Sequence, residues 1–259
     1  MNGPVGSDAV ARTWDAAAYE RVADWQGREA LALVERLDLR GDETVLDAGC
    51  GTGRVAGHLL ERLPRGRVIG VDASPAMLEV ARANLDDGRV QHVLADLVDL
   101  RLDVLVDAVV SGAAFHWVLD HDLLFARLHA VLRPGGRLLA WHGGRGSHAA
   151  LYEAGADVAR RDPFAPFFDG WTPPIAFVGA DETAARLAAA GFVDIECRIE
   201  PYRHEHDSVD YFRTVSLGAH LQQLPDELRE LFLAEVLAAQ ERPYCSLINR
   251  LYLDARRSS

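Results

Sequence analysis

Short apolar runs alternate with amphipathic stretches along the first half of the chain. The run ETVLDA (residues 43–48) is followed by RVAGHLLERL, which places Val55, Leu59, Leu60 and Leu63 at helical spacing. Arg67 to Val71 predict a second strand ending on Asp72, and Ser74 with Pro75 then supply a helix cap and first turn. Met77, Leu78, Ala81 and Leu85 give that helix its buried face. RVQHVLADL predicts a third strand ending on Asp96, and VLVDAVVSGAAF a fourth, rich in β-branched residues and without alternation. HDLLFARLHAVLRPGG reads as a helix closed by Pro134 and two glycines, and RLLAWHGG as a fifth strand. Continuous apolar strands separated by amphipathic helices indicate an α/β fold, with a parallel sheet covered on both faces.

The pattern lapses from Ser147 to about Gly179, a segment rich in proline and aromatic residues with no long clean period. DETAARLAAAGF restores a helix ending at Gly191, and VDIECRIEPYRHE a sixth strand. Helical stretches follow at roughly 208–219 and 225–240, and SLINRLYLDARR makes a last strand. No internal repeat or low-complexity tract is present.

The strand ends carry the chemistry. VLDAGCGTGRV puts Asp47 at the end of an apolar run and Gly49, Gly51 and Gly53 at alternate positions after it. Such bare backbone suits a close approach between chain and ligand. A dinucleotide fingerprint would place its third glycine where Arg54 stands. A carboxylate facing a helix N-terminus competes with phosphate but suits a ligand carrying an ammonium group, which favours an amino-acid-bearing nucleoside over NAD. Asp47, Asp72, Asp96 and Ser111 all fall at the carboxyl ends of predicted strands, where open α/β sheets bind ligands. Asp72, about 20 residues after the loop, is placed to accept both hydroxyls of a ribose.

Composition narrows the partners. Net charge is −12 over 259 residues, and all 27 basic residues are arginine. With no basic tract, binding to nucleic acid is not expected. The absence of lysine excludes a Schiff-base or P-loop lysine. No apolar run reaches the roughly 18 residues of a membrane span, and MNGPVGSD does not read as a signal peptide. The expectation is a cytoplasmic protein with no membrane partner. Cys50, Cys197 and Cys245 match neither a zinc spacing nor a disulfide framework, and Cys50 reads as a small filler in a tight turn. His204 and His206 share one face of a strand without an evident third ligand, so no metal is expected.

Taken together, VLDAGCGTGR, VIGVDASPAML, VLADL, VVSGAAFHWVLD and LHAVLRPGGRLLA resemble the motifs of class I S-adenosylmethionine-dependent methyltransferases. The resemblance covers essentially the whole chain and, within the superfamily, is most similar to the trans-aconitate methyltransferase group. It implies a doubly wound, Rossmann-like, seven-stranded and mostly parallel sheet whose last strand is antiparallel. It also implies an N-terminal helical lid (1–40), a binding core (41–146), a cap insertion (147–180) and a C-terminal part of the core with a helical insertion (181–259). Carried over by position, the backbone around Gly49, Cys50 and Gly51, with Asp47 before it, holds the methionyl part of the cofactor. Asp72 and Ala73 lie at the ribose, Met77 near the adenine, and Asp96 with Leu97 at its edge. Ser111 and Gly112 lie beside the sulfonium. In the lid, Tyr19 closes over the cofactor, and Gln26 and Arg28 lie near its carboxylate.

The expected activity is methyl transfer to a small molecule, with O-methylation of a carboxylate or hydroxyl preferred. A C- or N-methyltransferase of secondary metabolism, or a non-catalytic S-adenosylmethionine-binding protein, remains open at this point. An ionised carboxylate needs only orientation, for which Arg145, Arg160, Arg161 and Arg203 are candidates. Other acceptors gain from a general base, and His116 and His142 are the candidates. The chain is expected to act as a monomer or homodimer.

Overall fold

The computed structural model describes residues 14–22, 24–206, 209–240 and 244–259, except for the side chains at 22, 24–28, 30 and 206. Helices α1 (Ala16–Val22) and α2 (Asp24–Glu35) precede β1 (Thr44–Ala48). Then come α3 (Arg54–Arg62), β2 (Arg67–Asp72), α4 (Pro75–Asn84), β3 (Val90–Leu94) and β4 (Val106–Gly112). Helix α5 (His121–Val131) leads into β5 (Leu132–Gly143). Helices α6 (Ala149–Ala159), α7 (Ala165–Phe168) and α8 (Ala180–Ala189) precede β6 (Phe192–His206). Helices α9 (Gly218–Gln222) and α10 (Asp226–Ala238) precede β7 (Tyr244–Arg257).

The strands form one sheet in the order β3-β2-β1-β4-β5-β7-β6. The first five are parallel, and β7 runs antiparallel to both β5 and β6. Order reverses at β1, which pairs with β2 on one side and β4 on the other. That switch point leaves a crevice at the carboxyl ends of β1, β2 and β4.

Val45, Leu46, Val109, Val110, Leu138 and Leu139 are almost wholly buried, as strands covered on both faces require. One apolar layer joins Leu33 and Val34 of α2, and Leu37 just after it, to Leu59 and Leu60 of α3. The opposite layer joins Leu124, Phe125 and Leu128 of α5 to Leu187 of α8. A third core joins Leu151 and Val158 of α6 to Phe164, Phe168, Phe212, Phe232 and Leu233.

Two differences from the sequence pattern have local causes. Helix α5 stops at Val131 rather than running to Pro134, because Leu132 already pairs with Val106. The aperiodic cap contains an 11-residue helix, α6. Its Gly155 faces the His220 ring, with a notional Cβ 3.7 Å from Nε2, and interrupts the apolar stripe that would have announced the helix.

Candidate active site

The glycine turn after β1 is held from both sides. The N–H groups of Gly49 and Cys50 donate to the Val71 carbonyl at 2.8 and 2.9 Å. The N–H of Gly51 donates to Asp72 Oδ2 at 2.9 Å, while Ser74 N–H donates to Oδ1 at 2.8 Å. Two glycines of this turn have separate reasons to be there. A Cβ on Gly49 would stand 2.3 Å from that of Ala114, whereas one on Gly51 would enter open space. Both have positive φ, which glycine adopts without strain.

Behind the turn, Asp47 is fully buried, and neither carboxylate oxygen has a donor at full hydrogen-bonding geometry. Burial, reinforced by the charge of Asp72, raises its pKa to about 7, and the Ala56 N–H at the start of α3 opposes this. Burial also raises the pKa of Asp72 against the pull of the Ser74, Gly51 and Ala73 amides. Cys50 is buried, and its thiol pKa is pushed well up by that burial and by both aspartates, so it is no activated nucleophile. Ser111 does not line the crevice; it donates its hydroxyl to the Ala48 carbonyl at 2.6 Å, tying β4 to β1.

The crevice is a single cavity. Tyr19, Gly49, Gly51, Asp72, Ala73, Met77, Asp96, Leu97, Gly112 and His116, all expected site residues, line it together. Asp47, Cys50, Ser111 and His142 lie behind this lining. Gln26 and Arg28 are on α2, outside the residues whose side chains are described. Trp14, Ala113, Ala114, Trp117, Val118 and Val215 complete the wall and were not anticipated. Trp117 adjoins His116 in sequence, which is a signal in plain view. Val215 comes from a π-helical turn at Phe212–Ser216 that only the tertiary fold brings there.

Tyr19 of α1 and Trp14 just before it border one side. Trp14 packs edge-on against Tyr19 and Trp117, with centroids 5.6 and 5.3 Å apart. Arg54, the residue that departs from the dinucleotide fingerprint, ties α1 to the turn. Its Nη2 lies 2.9 Å from Glu20 Oε2 and donates to the Glu20 carbonyl at 2.7 Å. The Thr52 hydroxyl also donates to the Glu20 carboxylate.

On the same cavity's wall, Gly143 N–H donates to His116 Nδ1 at 3.2 Å. That nitrogen is therefore an acceptor, and the neutral ring carries its proton on Nε2. His142 is fully buried, with Nδ1 donating to the Gly143 carbonyl at 2.9 Å. Burial lowers its pKa to about 3. The candidate arginines stand elsewhere. Arg145 pairs with Glu182 at 2.7 Å, Arg160 with Asp157, and Arg161 with Glu235 at 3.8 Å, while Arg203 is exposed on β6.

Comparison with known proteins decides what this crevice belongs to. Residues 45–136 match the family model described as a methyltransferase domain. A trans-aconitate 2-methyltransferase of Acidovorax sp. (strain JS42) is 33% identical over 235 residues, spanning 85% of this chain and 86% of the relative. The chain belongs to the S-adenosylmethionine-dependent methyltransferases. Solved structures agree on the methyltransferase fold. The YcgJ protein of Bacillus subtilis superposes with a TM-score of 0.63 at 18% identity, covering 90% of this chain and 99% of that one. Haemonchus contortus phosphoethanolamine N-methyltransferase 2, solved with phosphomonomethylethanolamine and S-adenosylhomocysteine, gives 0.62 at 20% identity, covering 94% and 57%. The methyltransferase cofactor is S-adenosylmethionine, and the acceptor is a small molecule.

Proposed function

We propose that this methyltransferase esterifies a small-molecule carboxylate, holding S-adenosylmethionine in the cavity between the glycine turn and the lid. The residues fit that molecule. Gly51 leaves open space where a side chain would intrude, and the carboxylate of Asp72 stands at the rim for the ribose hydroxyls. Met77 and Leu97 give an apolar slot for the adenine, with Asp96 at its edge, and Asp47 lies unsatisfied behind the turn toward the methionyl ammonium. Tyr19 and Trp14 close over the ligand and exclude water.

When bound, S-adenosylmethionine supplies a methyl group on a sulfonium that is already a good leaving group. The chain's task is to bring a nucleophile into line and keep it there. The tautomer of His116 carries the carboxylate reading. Because its Nδ1 lone pair is engaged by Gly143, the ring presents Nε2–H and serves better as a donor than as a base. An acceptor carboxylate is ionised near neutrality and needs no base. It would accept from Nε2–H through one oxygen and attack with the other. The trans-aconitate 2-methyltransferases among its relatives support the same reading.

The test is transfer of tritiated methyl from S-adenosylmethionine to panels of carboxylic acids, phenols and amines, followed by mild alkali. Esters release methanol under alkali, whereas ethers and methylamines do not. Label that resists alkali across every productive acceptor overturns the reading.

A further inference from the structure

The ring of His116 is oriented by one hydrogen bond, from the Gly143 N–H to Nδ1 at 3.2 Å. That length lies at the long end of the usual range, so the bond holds the ring only with support. Its donor end is fixed. Gly143 ends β5 in register with Arg250 of β7, its carbonyl accepts from His142 Nδ1 at 2.9 Å, and the Gly144 N–H donates to the Asn249 carbonyl at 2.7 Å. The acceptor end is an imidazole, which can turn about its bond to Cβ.

Phe177 meets both ends. Its ring lies 5.8 Å from that of His116 at an interplanar angle of 33°. The same ring covers the bare backbone of Gly143, where a Cβ would come within 2.6 Å of Cε1 and 3.1 Å of Cδ1. Backbone bonds put it there. Ala176 N–H donates to the His116 carbonyl at 2.8 Å, and the Val178 carbonyl accepts from Arg145 N–H at 2.8 Å. The neighbours of Phe177 are thus bonded to the two segments that carry the acceptor and the donor. Tyr152 packs on Phe177 at 5.9 Å and is itself held by its hydroxyl, which donates to the Ser216 carbonyl at 2.9 Å.

A ring laid over this hydrogen bond does two things. It excludes water, which would otherwise compete for the Gly143 N–H and for Nδ1 and reduce the bond's net worth. It also resists the half-turn of the imidazole that would put a C–H where Nδ1 stands, because the two rings are packed face to face at a tilt. With Nδ1 kept as acceptor, the proton stays on Nε2. That is the nitrogen from which an acceptor carboxylate would accept.

We infer that Phe177 is a positioning residue for His116, fixing the imidazole as an Nε2–H donor by covering its hydrogen bond to Gly143. Its part in methyl transfer rests on the carboxylate reading, whereas the tautomer does not. The experiment is nitrogen NMR of the histidine-labelled full chain saturated with S-adenosylhomocysteine, with the His116 signals assigned from His116→Gln. The parent should show one tautomer, protonated on Nε2. Phe177→Leu should average the two nitrogens, and Phe177→Tyr, which retains the ring, should restore the parent signals. With trans-aconitate as probe acceptor, Phe177→Leu should lower kcat about tenfold, the effect of a misplaced group, and leave the KM for S-adenosylmethionine unchanged. Phe177→Tyr should recover that loss.

A parent His116 that already averages its tautomers, or a Phe177→Leu variant that keeps the parent signals, would overturn the inference. A lower kcat with an unchanged tautomer would do the same, because loosened packing alone explains it. Should Phe177→Leu not fold, Gly143→Ala brings a methyl against the ring from the donor side and is judged by the same signals. Should trans-aconitate not turn over, the tautomer decides alone. An alkali-stable product from the parent would overturn the carboxylate reading, and the NMR signals would still settle the role of Phe177.

Discussion

Asp72 and Gly51 are joined by a hydrogen bond of 2.9 Å in which the carboxylate accepts from the backbone N–H. One side chain thus shapes the turn and presents its charge to the same cavity. Asp72→Ala should weaken S-adenosylhomocysteine binding by roughly 1.5–3 kcal/mol, the cost of losing a charged hydrogen-bond acceptor. Titration calorimetry would read this as at least a tenfold rise in Kd. An unchanged Kd would place the ribose elsewhere.

The two glycines of this turn should respond differently to alanine. Gly51→Ala places a methyl in open space, so the protein should fold while its cofactor affinity falls. Gly49→Ala also drives a methyl into Ala114; both substitutions carry the strain of a positive φ, about 1–3 kcal/mol, so the clash is what separates them. Its melting temperature should fall well below that of Gly51→Ala. Equal melting temperatures would contradict the geometry.

Ionisation of Asp47 links stability to pH. Its folded-state pKa is about 7, against roughly 3.9 for an unfolded aspartate. Between those values the unfolded chain has lost a proton that the folded chain keeps, so this residue's contribution is fully present below pH 4 and declines as pH rises toward 7. His121, His142 and His148, whose pKa values are lowered by burial, act in the opposite sense below 6.5. A difference between two proteins cancels that contribution. The melting temperature of Asp47→Asn minus that of the unliganded parent should become more positive from pH 5 to 8, and a pH-independent difference would refute it.

Arg54 and Glu20 form a partly exposed pair, at 26% and 31% side-chain exposure, so solvent screens it. Glu20→Gln should cost about 1 kcal/mol in lid closure. Stopped-flow fluorescence of the lid tryptophan Trp14 would then show S-adenosylhomocysteine leaving about fivefold faster. Identical off-rates would mean that the pair is only a surface contact.

Much of the cofactor half was legible because its chemistry is local. Asp47, the glycine turn, Asp72 and the Ser74-Pro75 helix start sit within 30 residues, and each has a short-range signature. The acceptor half was not, for three physical reasons. Its helix α6 begins at His148 in a left-handed conformation without a capping side chain. Val215 and Trp14 reach the cavity through tertiary packing that no periodicity encodes. The arginines near the cap suggested an anion site, yet Arg145, Arg160 and Arg161 have acidic partners of their own. Tyr211, Phe212 and Phe164 are buried in cores, whereas Tyr152, Phe168 and Trp171 border open space.

The place of β7 between β5 and β6 bears on how the enzyme is born. During synthesis β5 has β4 on one side, but its other edge stays open until residues 244–257 emerge from the ribosome. The residues that then pair with β7 include Trp141, His142 and Gly143. Nascent chains would thus carry an unpaired strand edge for about a hundred residues of translation, a hazard for association with neighbouring chains. The His116 wall, anchored through Gly143, is secured only when that strand arrives.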